Sequence, residues 1–142
     1  LGRAFAKKIR GEEGNVYVLV GDGEMEEGSN WEALILANKL QLENLTILVD
    51  WNKYQSMGSV KEIANFCLDT LTAKLQAFGC NVTSIDGHDL VELSKLKNLD
   101  KGLNAIILDT IKGKGVKCLE ESHAHVFYFN IEKYKSALED LK

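Results

Sequence analysis

The chain has no apolar run as long as a membrane-spanning helix requires, and no signal peptide is visible. It has no excess of positive charge either, because the formal net charge at pH 7 is -4. A negative balance argues against nucleic acid or an anionic membrane surface as the main partner. Internal repeats, linkers and low-complexity segments are also absent. The sequence therefore predicts neither a membrane partner nor a nucleic-acid partner.

Cysteine is scarce. The three cysteines, Cys67, Cys80 and Cys118, are odd in number, and no two of them have the spacing of a metal-binding pair. We expect buried, reduced thiols, which are typical of cytoplasmic proteins. The cysteine pattern therefore predicts a cytoplasmic location.

The composition is otherwise that of an ordinary globular domain. At 142 residues the chain has the length of one domain. A hydrophobic content of 45% is enough to build a core, and 27% charged residues is usual. We expect one domain over residues 1–142.

A strand–turn–helix–strand pattern lies in the first third of the chain. The apolar runs Val16–Val20 and Leu45–Val49 predict buried strands. Residues 26–38 predict a helix between them, with Leu34 and Ile35 on its apolar face. This is a βαβ unit, whose two strands should be parallel.

Polar residues follow both of these strands. Asp22 stands between Gly21 and Gly23 after the first strand, and Asn52 follows the second. Ligands bind at the carboxyl ends of strands in open α/β sheets. Glycines let backbone N–H groups approach a phosphate, and carboxylate and amide oxygens suit Mg²⁺. The pattern fits a diphosphate held through a divalent cation, but an ordinary turn with an exposed asparagine fits it as well.

The rest of the chain alternates helices and strands in the same way. We expect one or two helices over 60–78, a strand over 81–85, a helix over 90–99 opened by Asp89, a strand over 105–109 and a closing helix over 131–142. This alternation predicts an α/β domain with a mainly parallel sheet flanked by helices.

Several ordered motifs resemble those of the transketolase family. They are Gly21-Asp-Gly-Glu-Met-Glu-Glu-Gly28, Trp31-Glu-Ala33, Asn44-Leu-Thr-Ile-Leu-Val-Asp50, Asn52-Lys-Tyr-Gln55, Phe78-Gly-Cys-Asn-Val-Thr-Ser-Ile-Asp-Gly-His-Asp89 and Thr110-Ile-Lys-Gly-Lys-Gly-Val116. The resemblance covers nearly the whole chain. It is closest to the diphosphate-binding domain found in the N-terminal subunit of split transketolases, and it implies the thiamine-diphosphate-binding fold.

The resemblance implies thiamine diphosphate and Mg²⁺ as cofactors, with Ca²⁺ as a possible substitute for the metal. The implied metal ligands are Asp22, Asn52 and the backbone carbonyl of Tyr54. Gly21 and Gly23 belong to the same cofactor-binding motif, and Gly23 is expected to donate its backbone N–H.

Acidic residues surround the start of the first long helix. Glu24 and Glu26 are explained by favourable charge at a helix N-terminus. The resemblance implies more for Glu27 and Glu32, which match glutamates at a dimer interface that link two active sites. Glu27 is accordingly expected to take part in cofactor activation.

Three histidines are candidates for chemistry. His123, eight residues after Gly115, matches a transketolase histidine that contacts both the diphosphate and the sugar. His125 has no clear match, and a zinc site made of His123 and His125 would lack companion ligands. His88 is expected to be structural, at the start of a helix.

The implied activity is transfer of a two-carbon ketol unit from a ketose phosphate to an aldose phosphate. The family's activating glutamate lies in another domain, so we expect a partner subunit with the pyrimidine-binding domain, in a homo- or hetero-oligomer. The abrupt helical pattern from Leu1 suggests N-terminal truncation, whereas the closing helix suggests a natural C-terminus. The alternatives are a degenerate binding or assembly module and a 2-oxo acid dehydrogenase subunit.

Overall fold

A computed structural model describes all of residues 1–142 as alternating strands and helices. The strands are β1 (Val16–Gly21), β2 (Leu45–Trp51), β3 (Tyr54–Gln55), β4 (Gly58–Ser59), β5 (Asn81–Asp86) and β6 (Asn104–Asp109). The helices are α1 (Gly2–Arg10), α2 (Gly28–Lys39), α3 (Val60–Ala64), α4 (Leu68–Ala77), α5 (Leu90–Ser94), α6 (Lys117–Ser122) and α7 (Ile131–Asp140). Two short 3₁₀ helices, Gly23–Glu26 and Lys95–Asn98, follow β1 and α5.

Four strands form one parallel sheet in the order β1-β2-β6-β5. Ile47 of β2 lies between Val18 of β1 and Ala105 of β6, which fixes the register across the middle of the sheet. β3 and β4 form a separate antiparallel pair. The predicted α/β class, the mainly parallel sheet and the parallel pairing of the first two strands are therefore confirmed.

The position of each strand in the sheet explains its composition. The central strands β2 and β6 are mostly apolar and mostly buried, as strands covered on both faces usually are. The edge strand β1 instead alternates exposed and less exposed residues, and Leu19 is 66% exposed. One core joins Leu34 of α2 and Leu71 of α4 to Ile47 and Ile107 in the sheet.

Several expected boundaries need correction because single residues interrupt the helical pattern. The expected helix over 26–38 is divided into the first 3₁₀ helix and α2, since Glu27 has an extended backbone (φ -73°, ψ 120°). Left-handed Asn65 (φ 49°) separates α3 from α4. The helix expected over 90–99 is α-helical only to Ser94, and the closing helix ends at Asp140.

Ile35, which belongs to the apolar pattern of the predicted helix, is 59% exposed, and the buried residues of α2 are Leu34 and Ala37. The prediction that the cysteines are buried was wrong for Cys67. Cys67 is exposed at the start of α4, whereas Cys80 is buried and Cys118 is partly buried. All three cysteines are free thiols. None of the helices has the length and apolar character needed to cross a membrane.

Candidate functional site

The carboxyl ends of β1 and β2 lie side by side and form one wall of a cleft of about 530 Å³. Gly21 pairs with Asp50, and the backbone N–H of Asp22 donates to the Asp50 carbonyl at 3.1 Å. The cleft is mostly polar, and its lining residues are Gly21, Asp22, Gly23, Glu24, Glu27, Asp50, Asn52, Tyr54, Gln55, Ser56, Lys112 and His125. The structure thus brings six sequence-predicted site residues to a single cleft: Gly21, Asp22, Gly23, Glu27, Asn52 and Tyr54.

Asp22 is the buried acid of this cleft, with only 2% of its surface exposed. Its Oδ1 accepts the Gly23 N–H at 2.8 Å and its Oδ2 accepts the Lys53 N–H at 2.6 Å. Burial raises the pKa of Asp22 above its ordinary value, and the neighbouring Asp50 charge raises it further, while the two N–H donors and the Lys112 charge lower it. The carboxylate is therefore fixed in position but short of compensating positive charge.

Asn52 is held at both ends of its side-chain amide. Its Nδ2 donates to Asp50 Oδ2 at 2.9 Å, and its Oδ1 accepts the Tyr54 N–H at 3.1 Å. Asp50 Oδ1 in turn accepts the hydroxyl of Thr110, which follows β6. A chain of side-chain hydrogen bonds thus joins the ends of β2 and β6 beside the cleft.

The two glycines of the turn have backbone N–H groups that already donate within the turn. Gly21 N–H donates to Glu24 Oε2 at 2.7 Å, and Gly23 N–H donates to Asp22. A Cβ on Gly23 would lie 2.9 Å from Gln55 Oε1 and 3.0 Å from Gln55 Cβ. Close approach to Gln55 is thus the local reason for glycine at position 23.

The predicted interface glutamates lie at different places along α2. Glu27 is at the N-cap position and contributes to the cleft. Glu32 is exposed on the helix and does not line the cleft. Glu24 and Glu26 bind their neighbours instead, Glu24 to Gly21 N–H and Glu26 to the Gln55 side chain.

The two histidines after α6 occupy different positions. His123 ends α6 in a left-handed conformation, and its ring stacks on Tyr54 with centroids 4.2 Å apart. His123 thus contacts Tyr54 of the cleft wall without lining the cleft itself, whereas His125 lines the cleft directly. No group of three or more His, Cys, Asp or Glu side chains is placed to hold a metal ion, so the zinc alternative has no support.

Sequence reasoning gave Asp50, Gln55 and Lys112 no individual role in the cleft that they line. Lys112 follows β6 in a Lys-Gly-Lys-Gly segment, and its neighbour Lys114 lines a different cleft. The sequence gives no reason to place these two lysines in different clefts, because their placement depends on the path of the loop. Asp50 carried a weak signal, since it lies at a strand end two residues before Asn52.

A second cleft, of about 850 Å³, lies at the ends of β5 and β6 and provides a comparison. Its acids include Asp86 and Asp109, and Asp109 forms an ion pair with Lys53. His88 Nε2 accepts the Ile111 N–H at 2.8 Å, which agrees with the structural role expected for this histidine.

The residues of the first cleft fit a divalent cation bound to a phosphate. Asp22 and Asp50 supply two neighbouring carboxyl groups, and Lys112 is the one cation among the lining residues. Asn52 adds an amide oxygen at the same edge. A hard cation would relieve the repulsion between the acids and would take further oxygen ligands from water or phosphate.

Comparisons with known proteins agree with this geometry. Residues 7–128 match the family described as transketolase, thiamine diphosphate binding domain. The chain is 37% identical to an apulose-4-phosphate transketolase subunit of Actinobacillus succinogenes, over all of this chain and 52% of that protein. It is 35% identical to 6-deoxy-6-sulfo-D-fructose transketolase subunit SqwG of a Clostridium species, over all of this chain and 53% of that protein. The chain thus spans about half the length of these curated relatives.

The fold is also similar to that of solved transketolases. The transketolase of Campylobacter jejuni superposes with a TM-score of 0.76 and 32% identity, over 92% of this chain and 21% of that one. These matches favour transketolase over the 2-oxo acid dehydrogenase alternative. From its fold, its cleft and its sequence relatives, the chain belongs to the transketolase family and corresponds to the thiamine diphosphate binding domain.

Proposed function

We propose that the chain belongs to the N-terminal subunit of a split transketolase and anchors thiamine diphosphate through Mg²⁺. Relatives named as transketolase subunits match the chain over its whole length. The observation that carries the proposal is the buried Asp22 carboxylate, which shares one polar cleft with Asn52 at the ends of two parallel strands.

The proposed metal ligands are Asp22, Asn52 and the backbone carbonyl of Tyr54. Asp22 is already oriented by two backbone N–H groups, so little ordering is needed when a cation binds. Ca²⁺ can take the place of Mg²⁺, because both cations prefer oxygen ligands. Lys112 lines the same cleft and supplies positive charge for the diphosphate.

Thiamine diphosphate, when bound, supplies the carbanion stabilisation that allows a carbon–carbon bond next to a carbonyl to break. This chain binds and orients that group. We assign His123 to contact with the diphosphate and the sugar, and its stacking on Tyr54 holds the ring next to the proposed metal ligands. His125, which lines the cleft itself, is a second candidate for the same contact.

The proposed reaction transfers a two-carbon ketol unit from a ketose phosphate to an aldose phosphate. The names of the two relatives include apulose 4-phosphate and 6-deoxy-6-sulfo-D-fructose. Those names show that sugars differ among related subunits, so the sugar of this protein has to be measured.

The proposed partner is a subunit that carries the pyrimidine-binding domain, in a homo- or hetero-oligomer. Glu27 and Glu32 are assigned to the contact between active sites. The exposed side of α2 supports an interface there, since Ile35 and Leu36 are 59% and 42% exposed beside Glu32. Apolar residues grouped on an exposed helix surface are typical of protein contacts.

Calorimetry on the assembled enzyme tests the proposal. Thiamine diphosphate should bind only with Mg²⁺ or Ca²⁺, and Asp22→Ala should weaken binding roughly 100-fold or more, because a direct metal ligand is lost. Asp109→Ala, which removes an acid from the second cleft, is the matched control and should bind like wild type. Equal binding by the Asp22 variant, or ketol transfer by this chain without a partner, would contradict the proposal.

A further inference from the structure

Asp50 is one of the cleft residues that sequence reasoning left without a role. It is partly buried at the carboxyl end of β2, and both of its side-chain oxygens are engaged. One oxygen accepts the Asn52 amide N–H at 2.9 Å, and the other accepts the Thr110 hydroxyl.

The Asn52 amide has two possible orientations, and Asp50 selects one of them. In the observed orientation Nδ2 faces Asp50, and Oδ1 accepts the Tyr54 N–H at 3.1 Å. A flipped amide would bring its oxygen against the Asp50 carboxylate and its NH₂ group against the Tyr54 N–H. Both contacts would be repulsive, because they pair acceptor with acceptor and donor with donor.

Thr110 fixes Asp50 from the neighbouring strand. Its hydroxyl donates to Asp50, and its backbone N–H donates to the Trp51 carbonyl at 3.2 Å. The Asp50 carboxylate is therefore held between the end of β2 and the residue that follows β6. A side chain held in this way can keep a neighbouring ligand in a single orientation.

We propose that Asp50 is a positioning residue that fixes the orientation of the Asn52 amide, so that the second lone pair of its oxygen, beside the one that accepts the Tyr54 N–H, can bind the metal, and that Thr110 holds Asp50 in place. The inference rests on the proposed function. It adds that metal affinity depends on a carboxylate acting through Asn52.

The physical reason is the difference between the two ends of an amide. A hard cation binds the amide oxygen, whereas the NH₂ group has no lone pair to offer. An Asp50→Asn side chain has one acceptor oxygen where the carboxylate has two. Its oxygen can face either Asn52 or Thr110, and its NH₂ group then faces the other, so it no longer selects a single orientation of the Asn52 amide.

The test measures Mn²⁺ affinity of the assembled enzyme with thiamine diphosphate, by the electron paramagnetic resonance signal of free Mn²⁺, together with Tm. Asp50→Asn should lose about tenfold or more in Mn²⁺ affinity. Thr110→Val, which keeps the charge of Asp50, should lose less. Thr110→Ser restores the hydroxyl and should recover wild-type affinity.

Two further variants test the general charge of this edge and the oxygen at position 52. Asp109→Asn removes one negative charge from the same edge of the sheet without touching Asn52, and should keep wild-type affinity. The combined change Asp50→Asn and Asn52→Asp should regain most of the loss, because a carboxylate at position 52 presents oxygen at both ends.

Wild-type Mn²⁺ affinity in Asp50→Asn would overturn the inference while leaving the proposed function intact. An equal loss of Mn²⁺ affinity in Asp109→Asn would also overturn the inference. So would a loss of affinity in Asp50→Asn that is accompanied by a fall in Tm, if Thr110→Ser shows the same fall in Tm. Failure of the wild-type enzyme to bind Mn²⁺ with thiamine diphosphate would overturn the proposed function and this inference together.

Discussion

The two ends of the parallel sheet carry different kinds of polar residue. At the amino end asparagine side chains donate hydrogen bonds to backbone carbonyls. Buried Asn104 donates to the Asp100 carbonyl at 2.9 Å and to the Gly102 carbonyl at 3.1 Å. Asn44, which precedes β2, donates to the Ala4 carbonyl at 3.0 Å. At the carboxyl end carboxylates and lysines are present beside neutral polar residues, and together they line two clefts.

The difference between the two ends of the sheet indicates that polar residues at the amino end stabilise the fold, whereas those at the carboxyl end serve binding. Neutral amides that bond to nearby carbonyls join the turns at the amino end and leave no charge to neutralise. At the carboxyl end, Asp22 is buried beside a second acid, which costs free energy in the absence of a cation. We therefore expect substitutions at the amino end to change stability alone, and substitutions in the first cleft to change cofactor affinity.

The two clefts at the carboxyl end also differ from each other in the environment of their acids. Asp109 in the second cleft is about half exposed and paired with Lys53, whereas Asp22 in the first cleft is buried and has no paired cation. An acid at a strand end is thus insufficient to indicate a site. Burial without a neutralising partner is the informative feature.

The largest effect on stability is expected at the amino end, from Gly79→Ala. Gly79 has a left-handed backbone (φ +89°), and an added Cβ would lie 2.5 Å from Asn38 Cγ and 2.7 Å from its Oδ1. Backbone strain and displacement of Asn38 should together lower the free energy of unfolding by about 2 kcal/mol. Urea unfolding measures this loss.

The matched control for Gly79→Ala is Gly2→Ala, where an added Cβ meets no atom within 4 Å. It should leave stability equal to wild type or slightly higher, because alanine is the better helix former. Thiamine diphosphate affinity should be unchanged in both variants. A loss of affinity in Gly79→Ala would show that the two ends of the sheet are not independent.

A smaller effect is expected from the lysines that follow β6. Lys112→Ala should weaken thiamine diphosphate binding about tenfold, because a charge-assisted contact with the diphosphate is lost. Lys114→Ala changes the second cleft and should bind like wild type. Calorimetry compares the two variants, and equal losses would mean that general positive charge, rather than position, attracts the diphosphate.

The smallest effect is expected in the pH dependence of stability without metal. Burial raises the pKa of Asp22 in the folded state, so the folded protein retains this proton to higher pH than the unfolded chain. Its contribution to stability is therefore full below the ordinary Asp pKa of about 4 and is lost as pH rises through the folded value. Asp22→Asn cannot ionise and should lack this decline.

Chemical unfolding of wild type and Asp22→Asn from acid to neutral pH measures the difference. All other titrating groups are shared, so the difference between the two curves reports Asp22 together with its interaction with Asp50. Parallel curves would contradict the assignment. Saturating Mg²⁺ with thiamine diphosphate should reduce the decline of the wild type, since a bound cation stabilises the carboxylate.

Much of the carboxyl edge could be predicted from sequence. Apolar runs indicated the strands, and strand ends of a βαβ unit must lie together, so Asp22 and Asn52 were expected at one place. Their roles in binding remain predictions. The helix boundaries were harder to predict. Glu27 is extended and Asn65 is left-handed, and hydrophobic periodicity does not indicate such local backbone conformations.

Contacts between distant segments could not be predicted. Lys112 and Lys114 line different clefts, and Gly113 between them has a left-handed backbone (φ 77°). The exposure of Ile35 and the stacking of His123 on Tyr54 also depend on tertiary packing. Composition and spacing carry no information on such pairings.

The strand order β1-β2-β6-β5 has a consequence for how the chain folds. β6, which follows β1, β2 and β5 along the chain, is inserted between β2 and β5. Until it arrives, apolar residues of β2 have a neighbour on one side only, and the sheet remains divided. Folding should therefore be slow and governed by this distant pairing, and the nascent chain should be vulnerable to aggregation before β6 leaves the ribosome.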